Sequence, residues 1–112
     1  MAENKLPEQQ ILMQFQAYQE QLQSILLQKE NLRMQTLEME KALEELEASK
    51  EKTAFKIVGP IMIKKTVDEI RTEMKERKES YELRVKTLNA AEERVSKKLK
   101  EMEDEIRKLV GK

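Results

Sequence analysis

The sequence has no cysteine and no histidine. Without thiols there are no disulfides and no thiolate nucleophile, and without either residue the usual transition-metal ligand sets are missing. The commonest general base is missing too. The only glycines are Gly59 and Gly111, so no Gly-rich loop exists to cradle a phosphate. Aromatic residues make up only 4%. That is too little bulky mass for a thick core, but it suits a thin seam between two helices. Net charge is zero, with 22 basic and 22 acidic residues. No general affinity for nucleic acid or a membrane is expected from that balance. No stretch approaches the roughly 18 apolar residues of a membrane span. No basic region followed by an apolar run opens the chain, so no signal peptide is visible and a cytoplasmic location is expected.

What is present is charge in long, regular patterns, at 39% of 112 residues. Alternating steps of four and three from Ile11 give Phe15, Tyr18, Leu22, Ile25, Lys29, Leu32, Thr36, Met39, Leu43 and Leu46. Nine of these eleven are apolar, which predicts a coiled-coil helix over 7–52 and argues against disorder. Pro7 suits its first turn. Thr66-Val67-Asp68-Glu69 reads as a capping box opening a second helix over 66–110. From Tyr81 the same stepping gives Val85, Leu88, Glu92, Val95, Leu99, Met102, Ile106 and Leu109, eight of nine apolar. Ile63, Val67, Ile70 and Met74 share the pattern but slip phase before Tyr81. An extra four-residue step there would locally unwind a supercoil. Gly111 reads as a stop.

The two helices are nearly equal in length and their connection is short, so an antiparallel hairpin of helices is the natural fold. Charge agrees with this: residues 1–50 hold 5 basic and 9 acidic residues, and residues 51–112 hold 17 and 13. Each exposed pair is weak, yet the opposite bias favours packing of one helix on the other. The charge runs themselves read as solvated faces. Lys and Glu alternate closely, and no aromatics are interleaved for base stacking, so no nucleic-acid partner is expected.

Between the helices, Ala54-Phe55-Lys56-Ile57-Val58-Gly59-Pro60-Ile61-Met62-Ile63 is the only stretch with strand-like composition. Gly59-Pro60 marks a turn. The reading is a β-hairpin of strands 53–58 and 61–65, with apolar side chains on both faces. A lone two-stranded hairpin is marginal in water, and its open edges invite pairing. Several copies, or relatives, pooling their hairpins into a closed barrel would solve both problems. A structural coiled-coil adaptor is the alternative, but it has no use for an apolar strand pair at the bend. An enzyme is not expected, since pairs such as Glu44-Glu45 sit on a solvated helix.

Three stretches carry a family resemblance. They are the segment 54–63, the acidic run Glu40-Lys41-Ala42-Leu43-Glu44-Glu45-Leu46-Glu47, and Glu76-Arg77-Lys78-Glu79-Ser80-Tyr81-Glu82-Leu83-Arg84-Val85-Lys86-Thr87-Leu88. With the Gln-rich first helix, their order and spacing resemble the β-type subunits of archaeal prefoldins. A single hairpin fits the β type rather than the α type. Phe55 stands where the family often has Tyr; it loses a hydroxyl and keeps the ring, so assembly is expected to survive. The resemblance implies a mostly α fold, an antiparallel two-helix coiled coil joined by a β-hairpin that assembles into an intersubunit β-barrel, all in one domain over 1–112. It further implies a hexamer of two α and four β subunits. That complex would hold unfolded client proteins without ATP or another cofactor and pass them to a group II chaperonin.

Two sets of residues follow. The hairpin residues Phe55, Ile57, Val58, Gly59, Pro60, Ile61, Met62 and Ile63 are expected to carry assembly. At the free end of the coil, Leu6, Ile11, Leu12, Met13 and Phe15 face Met102, Ile106, Leu109 and Val110. These exceed what one seam needs and are the candidate client contacts. Five of them, Ile11, Phe15, Met102, Ile106 and Leu109, also sit in heptad positions that would complete the seam. Leu26, Leu27 and Met34 are further off-seam apolar residues whose role the sequence leaves open.

Overall fold

A computed structural model describes the backbone of residues 2–111 and the side chains of residues 8–111. The order is helix α1 (Ala2–Ser49), strands β1 (Thr53–Val58) and β2 (Ile61–Thr66), and helix α2 (Val67–Val110). α1 extends ahead of Pro7, which has no N–H to donate, so that turn carries one helical bond fewer. At its other end α1 stops at Ser49, short of the 52 expected. Lys50 takes φ 59°, a left-handed conformation that ends a helix. Ser49 Oγ donates to the Leu46 carbonyl at 2.8 Å and accepts from Glu51 N at 3.3 Å, satisfying groups that the helix end leaves open.

The chain forms two compact units, Met1–Glu30 with Lys86–Lys112, and Asn31–Val85. In the first, Lys29 meets Glu92, Tyr18 shares a cleft with Val95 and Lys98, and Leu12 shares one with Ile106 and Leu109. Partner numbers rise as α1 numbers fall, so the two helical segments run antiparallel. Ile25, Val95 and Met102 are its buried core. In the second unit Glu47 pairs with Arg71 and Glu40 with Lys78, again antiparallel. Its buried core is Leu32, Val67 and Ile70. Every α1 heptad position from Ile11 to Leu46 is buried or half-buried, as the stepping predicts.

Two of the three polar exceptions in the heptads are partners. Lys29 Nζ lies 2.7 Å from Glu92 Oε1, both half-buried. A paired charge at seam positions fixes register, because sliding either helix would leave both charges in an apolar groove. Thr36, the third exception, returns its hydroxyl to the Leu32 carbonyl at 2.9 Å. The phase slip falls at Lys78. The buried and half-buried series runs Ile70, Met74, Lys78, Tyr81, Val85, with two successive four-residue steps. Lys78 lays its stem along the seam and carries its ammonium to Glu40, at 3.1 Å.

The strands pair antiparallel in the register Thr53↔Thr66 through Val58↔Ile61. Gly59 and Pro60 form the two-residue turn. Gly59 has φ +56°, which only glycine adopts freely. Pro60 cannot follow with a positive φ, so the turn is of type II′ rather than I′. Thr66 ends β2 and caps α2, accepting from Glu69 N at 3.1 Å, which is the hydroxyl half of the predicted capping box. Val67 N donates to the Lys52 carbonyl at 2.9 Å, closing the neck of the hairpin.

Candidate functional site

The register divides the hairpin into two faces, because directly paired residues point the same way and successive ones alternate. One face carries Phe55, Ile57 and Met62 with Thr53, Lys64 and Thr66. Its three apolar side chains are 60, 72 and 63% exposed. The other face carries Ala54, Lys56 and Lys65, all half-buried, with Val58, Ile61 and Ile63, which remain exposed. The six large apolar side chains predicted for assembly are therefore all exposed. Gly59 and Pro60 supply only the turn.

The half-buried face leans on α2 through charge. Lys56 Nζ lies 2.9 Å from Glu73 Oε2, and Lys65 Nζ bonds the other oxygen of the same carboxylate. These two bonds, Lys65 first, hold the Glu73 carboxyl down from the ordinary 4.5 to about 2. Beside this clamp lies a cleft of about 300 Å³ walled by Val58, Ile70, Glu73, Met74 and Arg77. Arg71, two residues before Glu73, bridges Glu47 of α1 at 2.9 Å and Asp68 at 2.7 Å. Glu73 does not stand out by itself among the acidic residues of α2. Its signal is the parity of Lys56 and Lys65, which becomes visible only once register is known.

The paired helix ends form the second surface, within the first unit. Leu12, Met13, Leu109 and Val110 are exposed there. Ile11, Phe15 and Ile106 are half-buried in the seam. Met102 is fully in the seam, at 3% exposure. Leu6 lies outside the residues whose side chains are described. Leu12, Ile106, Leu109 and Val110, with Glu8, line a notch of about 120 Å³. Leu26, Leu27 and Met34 are exposed on α1, as are two residues with no mark in the sequence, Leu37 on α1 and Leu83 on α2. Among the described residues no helix is long and apolar enough to cross a membrane, and no acidic cluster could hold a metal ion.

These features have counterparts in known proteins. The family model described as "Prefoldin subunit" matches residues 9–112. The chain is 36% identical over 99 residues to the prefoldin subunit beta of Pyrococcus abyssi, covering 88% of this chain and 85% of that one. It is 33% identical over 104 residues to the corresponding subunit of Archaeoglobus fulgidus, covering 92% and 90%. It is 40% identical over 101 residues to that of Pyrobaculum arsenaticum, covering 89% and 82%. The crystal structure of the prefoldin beta subunit from Thermococcus strain KS-1 is similar with a TM-score of 0.77 and 34% identity, covering 90% of each chain.

Proposed function

The chain belongs to the prefoldin family, beside its archaeal β subunits, and from that premise we propose that it is an ATP-independent holdase. Membership makes it a chaperone subunit of the prefoldin type. In the proposed mechanism the whole chain works as one prefoldin-like domain in the cytoplasm. Four copies and two α subunits pool their hairpins into β-barrels. The paired helix ends capture unfolded proteins, and the complex hands them to a group II chaperonin. No catalytic centre takes part.

The observation that carries this reading is the hairpin. Two short strands hold six large apolar side chains, all more than 40% exposed, and both outer strand edges are open. Such an element is marginal in water, and its open edges and apolar faces invite other chains to cover it. The helix ends support the capture step. Leu12, Met13, Leu109 and Val110 offer an apolar surface with no directional demand, which suits clients that share only exposed apolar groups. Met13 adds a flexible, polarisable side chain. Six coils around one space would raise avidity through effective concentration without any tight single site. Ile11, Phe15, Met102 and Ile106 hold the surface in place and join it when the end frays.

The test replaces Leu6, Leu12, Met13 and Val110 with Ser in the assembled complex. Assembly should persist while suppression of aggregation of a denatured substrate falls severalfold. Unchanged suppression by an intact complex would refute capture at the helix ends.

A further inference from the structure

We propose that Glu73 is a positioning residue: gripped by Lys56 and Lys65, it fixes the hairpin on α2 in the orientation that presents Phe55, Ile57 and Met62 to neighbouring subunits. The proposal rests on the reading of the hairpin as the assembly element.

The geometry is specific. Lys56 is in β1 and Lys65 in β2, and the pairings Lys56↔Ile63 and Ala54↔Lys65 put both on one face as diagonal neighbours. Two cations so placed repel each other. The Glu73 carboxylate gives one oxygen to each, so one residue of α2 ties both strands at once. A hairpin tied through a single strand can still swing about that strand, whereas two ties from different strands fix its tilt. The apolar support on this face is thin, because Ala54 is its smallest side chain and Val58, Ile61 and Ile63 stay exposed. Buried Val67 fixes the base of the hairpin at its neck, and Ile70 is the buried apolar residue that shares the cleft with Val58. Lys64, the next residue to Lys65, points to the opposite face with Phe55 and serves as an internal control.

Removing Glu73's charge would leave Lys56 and Lys65 without their shared anion, with Arg77 a third cation lining the cleft beside Lys56. The strands should then open from α2 while the helices, held by their own seam, remain. The ties are partly exposed, so each is a modest restraint, and the two together are worth ~2- to 30-fold in local opening.

The experiment measures hydrogen exchange over residues 53–66 in the full-length chain, alone and assembled with an α subunit, for wild type, Glu73→Gln, Lys64→Ala, and the charge swap Glu73→Lys with Lys56→Glu and Lys65→Glu. Glu73→Gln should speed exchange in the hairpin of the lone chain ~2- to 30-fold. It should also lower the fraction of complex formed, with helix content unchanged. Lys64→Ala should do neither, and the charge swap should restore both. Hairpin exchange unchanged by Glu73→Gln, or failure of the swap to restore it, would overturn the proposal. Ile57→Asp in parallel separates the two claims. If that variant still assembles, the hairpin is not the assembly element, and the clamp stands or falls on exchange in the lone chain.

Discussion

Phe55, Ile57 and Met62 share one hairpin face that α2 does not cover, and replacing all three with Thr is the sharpest perturbation of the assembly reading. Thr keeps strand propensity, so the hairpin itself should survive. Fully burying an apolar side chain of this size contributes about 1.5–3 kcal/mol. The three are 60, 72 and 63% exposed, so covering what remains is worth about 3–6 kcal/mol per subunit. The variant should therefore bind its neighbours ~10²- to 10⁴-fold more weakly. Sedimentation velocity of the variant mixed with an α subunit, over a dilution series, reads this directly. Circular dichroism should show unchanged helix, because none of the three touches the seam. A complex that resists dilution as wild type does would mean that this face is not buried on assembly.

Three further outcomes follow from the same geometry. Gly59→Ala meets no neighbour but forces φ +56° on a side-chain-bearing residue; the strain of about 1–3 kcal/mol outweighs the 0.4–1 kcal/mol gained by stiffening the unfolded chain. It should lower the melting temperature and speed hairpin exchange, and an unchanged hairpin would contradict the turn assignment. Glu92→Leu strands Lys29 in the seam and should destabilise by about 1–3 kcal/mol in denaturant, whereas Lys29→Leu with Glu92→Leu should recover or exceed wild-type stability while loosening register, read by cross-linking. The Glu73 carboxyl, held at about 2 when folded, contributes stability that is fully present above 4.5 and is lost as pH falls toward 2. Wild type and Glu73→Gln should therefore differ in hairpin exchange at neutral pH and converge across that interval; a difference that persists below it would assign the effect to something other than the carboxylate.

Much of this architecture was legible in the residues because the physical signal was periodic. The heptad steps from Ile11 to Leu46 mark the half-buried or buried face of α1, and Gly59-Pro60 marks the turn. Even the phase slip before Tyr81 was visible, though not that Lys78 would fill it. What the sequence hid was pairing between distant positions. Lys29 and Glu92 each break a heptad, and only their opposition in space turns two blemishes into a register pin. Glu73 was hidden for a related reason. It is one acidic residue among many on α2, and its role depends on a strand register that hairpin composition does not fix. The helix limit at Ser49 escaped as well, since a left-handed Lys50 leaves no mark where glycine would have announced it. At the helix ends, heptad position did not separate Met102, which is buried, from Leu109, which is exposed. The last turn has fewer partners to cover it.

Native mass spectrometry of the complex purified from the protein's own cells tests the central claim most directly. The account predicts four copies of this chain with two copies of a longer coiled-coil chain that carries two hairpins. A homodimer, or a complex with an unrelated scaffold, would contradict it.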